Sequence, residues 1–116
     1  MTLSQFLSTL LRYVPVEPLR SLRLISLLDL SGNRIKFVPN NAFVTLRLKT
    51  LKLADNNLTL ADNSVRGLDS SLKNLNLKGC QLKKVPDAIR ALKSLAFLDL
   101  AQNTIRNGFQ HVSRAL

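Results

Sequence analysis

An α/β fold of stacked coils, with short parallel strands joined by crossovers, is what this sequence predicts. Three observations carry that expectation. Leucine supplies 26 of the 116 residues while aromatics make up only 5%, an excess that belongs to a repeated packing element. Four segments share one pattern: ISLLDLSGNRI (25–35), LKTLKLADNNL (48–58), LKNLNLKGCQL (72–82) and LAFLDLAQNTI (95–105). Aligned on Leu30, Leu53, Leu77 and Leu100, they recur after 23, 24 and 23 residues. Within each, leucines alternate with other residues at period two, the mark of a strand with one buried face.

Taken in order, the elements follow from that alternation. Leu28 and Leu30 point one way, while Leu27, Asp29 and Ser31 point the other. A lone short strand cannot bury its leucines, but the same strand from each coil stacks into a parallel sheet with a continuous leucine core behind it. Parallel pairing needs a crossover, and the dozen or so residues left in each repeat supply one. Three crossovers are related: LRYVPVEPLRSLRL (11–24), IKFVPNNAFVTLRL (35–48) and LKKVPDAIRALKSL (82–95). Each carries Val-Pro, at Val14-Pro15, Val38-Pro39 and Val85-Pro86. Proline lacks an N–H, which suits a turn outside any ladder. Leu19/Leu22, Phe43/Leu46 and Ile89/Leu92 should then plug the core from the crossover side. The crossover 59–71 has no Val-Pro and one extra residue. Leu60, Val65 and Leu68 still offer plugs, so a bulged loop is expected there.

Asn33, Asn56 and Asn103 follow the strands at one fixed position, with Cys80 in the fourth place. A side-chain amide has two donors and an acceptor, enough to satisfy backbone groups of its own turn and of the neighbouring coil. Cys80 reads either as a reactive thiol or as a small buried residue giving a weak S–H bond to the backbone, and its place in the ladder favours the second.

These segments fit L-x-x-L-x-L-x-x-N/C-x-L, and the chain resembles leucine-rich-repeat proteins over residues 11–105. The resemblance implies a right-handed solenoid with the sheet on a concave face and irregular, 3-10 or short helical segments on a convex one. One domain spans 1–116. A degenerate repeat covers 1–24, with Phe6 and Leu11 at core places and room for a poor fifth strand, and full repeats start near 25, 48, 72 and 95. Residues 106–116 begin a further crossover. Extracellular members usually carry cysteine-paired caps. Here Phe109, Val112 and Leu116 alone would cover the last strand, so the chain reads as a fragment of a longer protein. The subclass is mixed. VPNNAFVTLRLKTLKLADNNL, with its Ala42-Phe43 pair, resembles animal extracellular receptors and adhesion proteins. RGLDSSLKNLNL and AIRALKSLAFLDLAQNTI resemble chaoptin- and slit-like surface proteins, whereas VPDAIRALKSL equally suits cytoplasmic scaffolds.

By the same resemblance a protein ligand or receptor binds the outward strand positions. These are Leu27, Thr50, Asn74 and Phe97, then Asp29, Lys52, Asn76 and Asp99, and beyond them Lys78 among small residues. Leu27 and Phe97 serve either a partner or a neighbouring coil. With Asp55 and its neighbours included, this face has two lysines against three aspartates, a charge of −1 within a chain of +10. The surplus lies on crossovers and edges, at Arg34, Lys36, Arg47, Arg66, Lys83, Lys84, Arg90 and Lys93. A groove that reads nucleic acid should itself be basic, with aromatics for stacking. The outward rows are mixed, so no specific nucleic-acid partner is expected. An acidic partner at Lys83, Lys84 and Arg90 competes with the plainer reading of a solvated face.

Other classes fall away. No run approaches 18 apolar residues, so no helical membrane span is expected. One cysteine and one histidine, His111, cannot build a metal site. No cofactor motif or catalytic triad is present, and the expected role is non-catalytic. Thr2 to Leu11 lacks a basic leader and a cleavage site. Asn57-Leu58-Thr59 is a glycosylation sequon. The resemblance of the Ala42-Phe43 and chaoptin-like segments, with the sequon, implies a cell-surface or secreted receptor-like protein, while the missing leader and disulfides favour the alternative of a cytoplasmic scaffold.

Overall fold

The computed structural model describes residues 2–3, 11–106 and 111–113. Strands β1 (Thr2–Leu3), β2 (Leu27–Asp29), β3 (Phe37–Val38), β4 (Thr50–Lys52), β5 (Thr59–Leu60), β6 (Asn74–Asn76), β7 (Phe97–Asp99) and β8 (His111–Ser113) are accompanied by a one-turn helix α1 (Val16–Leu19) and a 3-10 turn at Asp87–Ala91. The main sheet has the order β1-β2-β4-β6-β7-β8. Every pair from β1 to β7 is parallel, as chain-order stacking of coils requires. Leu28, Leu51, Leu75 and Leu98 are partners across it. That parallel order fits a leucine-rich-repeat solenoid.

The leucine spacing dictates this register, because a slip of one residue would turn every leucine to the other face. Leu28, Leu51, Leu75 and Leu98 are buried, and so are Leu30, Leu53, Leu77 and Leu100. At about 1.5–3 kcal/mol for each fully buried leucine, these two rows are the main drive for stacking. The crossover plugs close the core from behind. Leu19, Phe43, Leu46, Leu60, Val65, Leu68, Ile89 and Leu92 are buried, while Leu11 and Leu22 pack half-buried against the cluster. After each strand the chain turns through the left-handed region at Gly32, Asp55, Gly79 and Gln102, one repeat position in four coils.

Two features differ from the sequence reading. The crossover 59–71 begins as strand rather than bulge, since β5 pairs in parallel with β3. Two bonds make the pairing, and the first runs from the Thr59 N–H to the Lys36 carbonyl at 3.0 Å. Ala61 stands where the related crossovers have proline, so its N–H can donate to the Val38 carbonyl at 3.0 Å. At the N-terminus the degenerate repeat does supply a strand, β1, with Thr2 opposite Leu27 and Leu3 opposite Leu28 in parallel. At the other end, where a crossover was expected to begin, His111–Ser113 pairs antiparallel with β7, which gives the last repeat strand's edge a hydrogen-bonding partner. Phe6, Phe109 and Leu116 lie outside the described residues.

Candidate protein-binding face

Each repeat strand turns its middle leucine into the core and sends the flanking residues outward. Register therefore fixes the rows on the open face, the side of the sheet away from the leucines. Leu27, Thr50, Asn74 and Phe97 stand side by side, and Asp29, Lys52, Asn76 and Asp99 form the next row. All eight predicted residues come together. Seven are half-buried, and Phe97 is 58% exposed. Lys78 lies beyond β6, also half-buried. A shallow recess of about 320 Å³ opens among Thr50, Lys52, Asn74, Asn76, Phe97 and Asp99.

The second row has a structural duty that the sequence did not disclose. Asp29, Asn76 and Asp99 each accept a bond from the backbone N–H two residues on, at Ser31, Lys78 and Ala101, all at 2.9 Å. These Asx turns lock each side chain beside the strand's exit. Lys52, a donor, takes the fourth place. The row thus offers fixed acceptors and one cation, and Phe97 adds a large apolar side chain. Such a face can meet a protein surface with polar contacts around an apolar anchor.

The Asn/Cys ladder lies behind the turns. Asn56 accepts the Ile35 N–H at 3.1 Å and donates to the carbonyls of Leu30 and Leu53, both at 3.0 Å. Asn103 accepts the N–H groups of Cys80 and Leu82 and donates to Leu77 and Leu100, each at 2.9 Å. Asn33 accepts from Leu11 at 3.0 Å and donates to Leu30 at 2.8 Å. Each amide therefore ties its own turn to the coil before it. Cys80 donates through Sγ to the Leu53 carbonyl at 3.1 Å. Burial, with the Asp55 charge adding to it, lifts the Cys80 thiol from 9.0 to about 11, although backbone N–H groups of Asn56 and Asp55 pull the other way. A buried thiol held in its protonated form is a poor nucleophile.

The basic residues named from sequence are exposed. Lys84 and Arg90 both approach Asp87, at 3.9 and 4.0 Å, so that carboxylate competes with any acidic partner there. In the sequon, Asn57 and Thr59 are exposed and Leu58 is buried. Among the described residues no group of metal-ligating side chains is present and no helix is long and apolar enough to cross a membrane.

Sequence reasoning passed over a second recess of about 440 Å³, on the edge where the chain leaves the strands. Arg12, Tyr13, Arg34, Lys36 and Phe37 line it. Its signal was present: Arg12-Tyr13 and Lys36-Phe37 occupy one repeat position, directly before Val14 and Val38.

Comparison with known proteins agrees with this architecture. The leucine-rich-repeat family profile matches residues 71–92. The volume-regulated anion channel subunit LRRC8D of Rattus norvegicus and that of Homo sapiens are each 32% identical over 108 residues, which is 89% of this chain. The chain spans 13% of the length of these relatives. The repeat matched at 71–92 is thus one turn of an array whose strand register carries the same pattern from 25 to 105, and the chain belongs to the leucine-rich-repeat proteins.

Proposed function

We propose that the chain is a non-catalytic protein-interaction module that works within a longer receptor-like or membrane-associated protein. In this reading the coils form a right-handed solenoid with the open face as its concave side, and a protein partner docks there. One observation carries the proposal. Phe97 stands 58% exposed beside fixed polar side chains, although the leucines behind it are buried. Exposed large apolar groups inside a polar frame are typical anchors of an interface. The partner-contacting set is Leu27, Asp29, Thr50, Lys52, Asn74, Asn76, Lys78, Phe97 and Asp99. Asn33, Asn56, Cys80 and Asn103 hold the scaffold.

The similarity to proteins named as anion channel subunits favours a second reading. There the same face holds a regulatory protein on a channel-type assembly. The compartment separates a surface or secreted module from a cytoplasmic scaffold. A surface or secreted protein would carry a glycan at Asn57, and glycosidase treatment would shift its mobility. A cytoplasmic scaffold would show no shift.

The experiment for the open face is photo-cross-linking in the native host cell. A photoreactive residue is placed at Asn74 or Phe97, and as a control at Arg66 on the crossover side. Partner adducts at 74 and 97, lost on Asp99→Lys, are expected. Adducts at 66 alone would overturn the assignment.

A further inference from the structure

The edge where the chain leaves the strands has chemistry unlike that of the open face. The residue after the last repeat Leu or Ile is basic in four of five coils, at Arg12, Lys36, Lys83 and Arg106, with Thr59 in the third coil, and Tyr13, Phe37 and Lys84 follow the first, second and fourth coils' cations. In the first two of these coils the pairs become neighbours because the Arg34 N–H donates to the Leu11 carbonyl at 2.7 Å, which draws the coils together. The result is the recess of about 440 Å³ lined by Arg12, Tyr13, Arg34, Lys36 and Phe37. Three cations surround it, and among the described residues no acidic one lines it. Among the described residues the ion pairs use Arg20, Lys84 and Arg90, and none of these three cations. Tyr13 is 79% exposed and Phe37 51%.

We propose that this recess docks a short acidic segment of a protein partner, with one aromatic or aliphatic residue of that segment seated against Tyr13 and Phe37. Charge complementarity supplies orientation and encounter rate, and the two rings supply a desolvated anchor. The far end of the same edge decides between a short segment and a long polyanion. There the equivalent recess contains Asp62 and Asp87 beside Lys83 and Lys84. A uniformly charged strand such as nucleic acid, running along the whole edge, would meet those carboxylates. A peptide confined to the first two coils avoids them. The concavity also suits a seated side chain better than a flat lipid surface.

The test uses the full chain and a fluorescein-labelled peptide, Gly-Glu-Glu-Asp-Phe-Glu-Glu-Leu, in an anisotropy titration at about 150 mM salt, where long-range attraction is screened. Arg34→Glu with Lys36→Glu should weaken binding at least about tenfold, and Phe37→Ser at least about threefold. Lys83→Glu with Lys84→Glu, and separately Phe97→Ala, should leave it within about twofold, which also keeps this site distinct from the open face. Equal losses from the two charge-reversed pairs would overturn the proposal, as would the absence of peptide binding. So would tighter binding of oligothymidylate or of phosphatidylserine vesicles than of the peptide. Should a charge reversal disturb the circular dichroism melt, Lys36→Ala with Arg34→Ala replaces it, with the same expected ranking.

Discussion

Ser64 is fully buried, and among the described residues its Oγ has no hydrogen-bond partner. It stands directly before the core residue Val65, as Ala42 stands before Phe43 and Ala88 before Ile89, and both alanines are buried too. The site therefore accepts a methyl group in two coils and holds an unpaired hydroxyl in a third. A buried hydroxyl without a partner costs about 1–3 kcal/mol. Ser64→Ala removes that cost and leaves no cavity larger than one oxygen. The expected gain is about 1 kcal/mol, taking the low end because the turn around it can relax. For a domain of this size that is a rise of about 4 °C in Tm. The reverse changes, Ala42→Ser and Ala88→Ser, should each cost about 1 kcal/mol or more. Urea unfolding followed by circular dichroism measures all three, and a common slope would show that the unfolded states match. A lower midpoint for Ser64→Ala, or a higher one for either serine variant, would refute the reasoning.

Asn103→Ala strands two buried N–H groups and two carbonyls, so unfolding in urea should show a loss of about 3 kcal/mol. Cys80 holds its proton more tightly in the folded chain than in the unfolded one. Its contribution is complete below pH 9.0 and is lost as pH rises through about 11, on the order of 2 kcal/mol. Cys80→Ala should flatten that part of the stability profile, and thiol reagents should label wild type only on unfolding. Gly67 has φ +96° and a Cβ there would meet the Val44 carbonyl oxygen at 2.9 Å, so Gly67→Ala should lower stability by about 2 kcal/mol in the same assay. The amides of Thr59, Ala61 and Thr104 donate to the preceding coil. Those of Lys83, Lys84 and Val85 have no such bond among the described residues, and should exchange with deuterium at least about tenfold faster.

The strands, their register and the crossover plugs were legible because one rule governs them: a leucine at period two must face inward, and only one stacking satisfies every copy. The Asn ladder was legible for a related reason, since a buried amide at a fixed offset has to satisfy fixed backbone groups. The pairing of β3 with β5 was not, because it rests on two backbone bonds, from Thr59 and from Ala61, and the second needs an N–H where the related crossovers have proline. The second duty of Asp29, Asn76 and Asp99 was hidden as well. Their outward direction followed from the period, but the bond back to the turn depends on how the chain leaves the strand. The basic and aromatic recess escaped notice because Arg12-Tyr13 and Lys36-Phe37 are 24 residues apart and become one surface only when coils stack.

The repeats also show why such an array keeps irregular coils. Stability here is close to a sum of coil terms and joints between neighbours, so one poor joint is tolerated if the others hold. Two departures from the repeat meet where residues 57–62 face residues 81–87. Cys80 replaces an amide and gives the Leu53 carbonyl a single thiol donor. Pro86 stands where Ala61 has an N–H, and no backbone bond crosses this edge among the described residues. The sheet still closes the joint, through Leu53 to Asn76 and Asp55 to Lys78, both at 2.9 Å, and Asp69 accepts Lys93 and Ser94 further along. The cost is thus confined to one edge, where the recess with Lys83 and Lys84 opens. The open face crosses the same joint without a break in its rows. A scaffold that confines its irregularity to an edge keeps its outward rows in register while side chains elsewhere are free to vary.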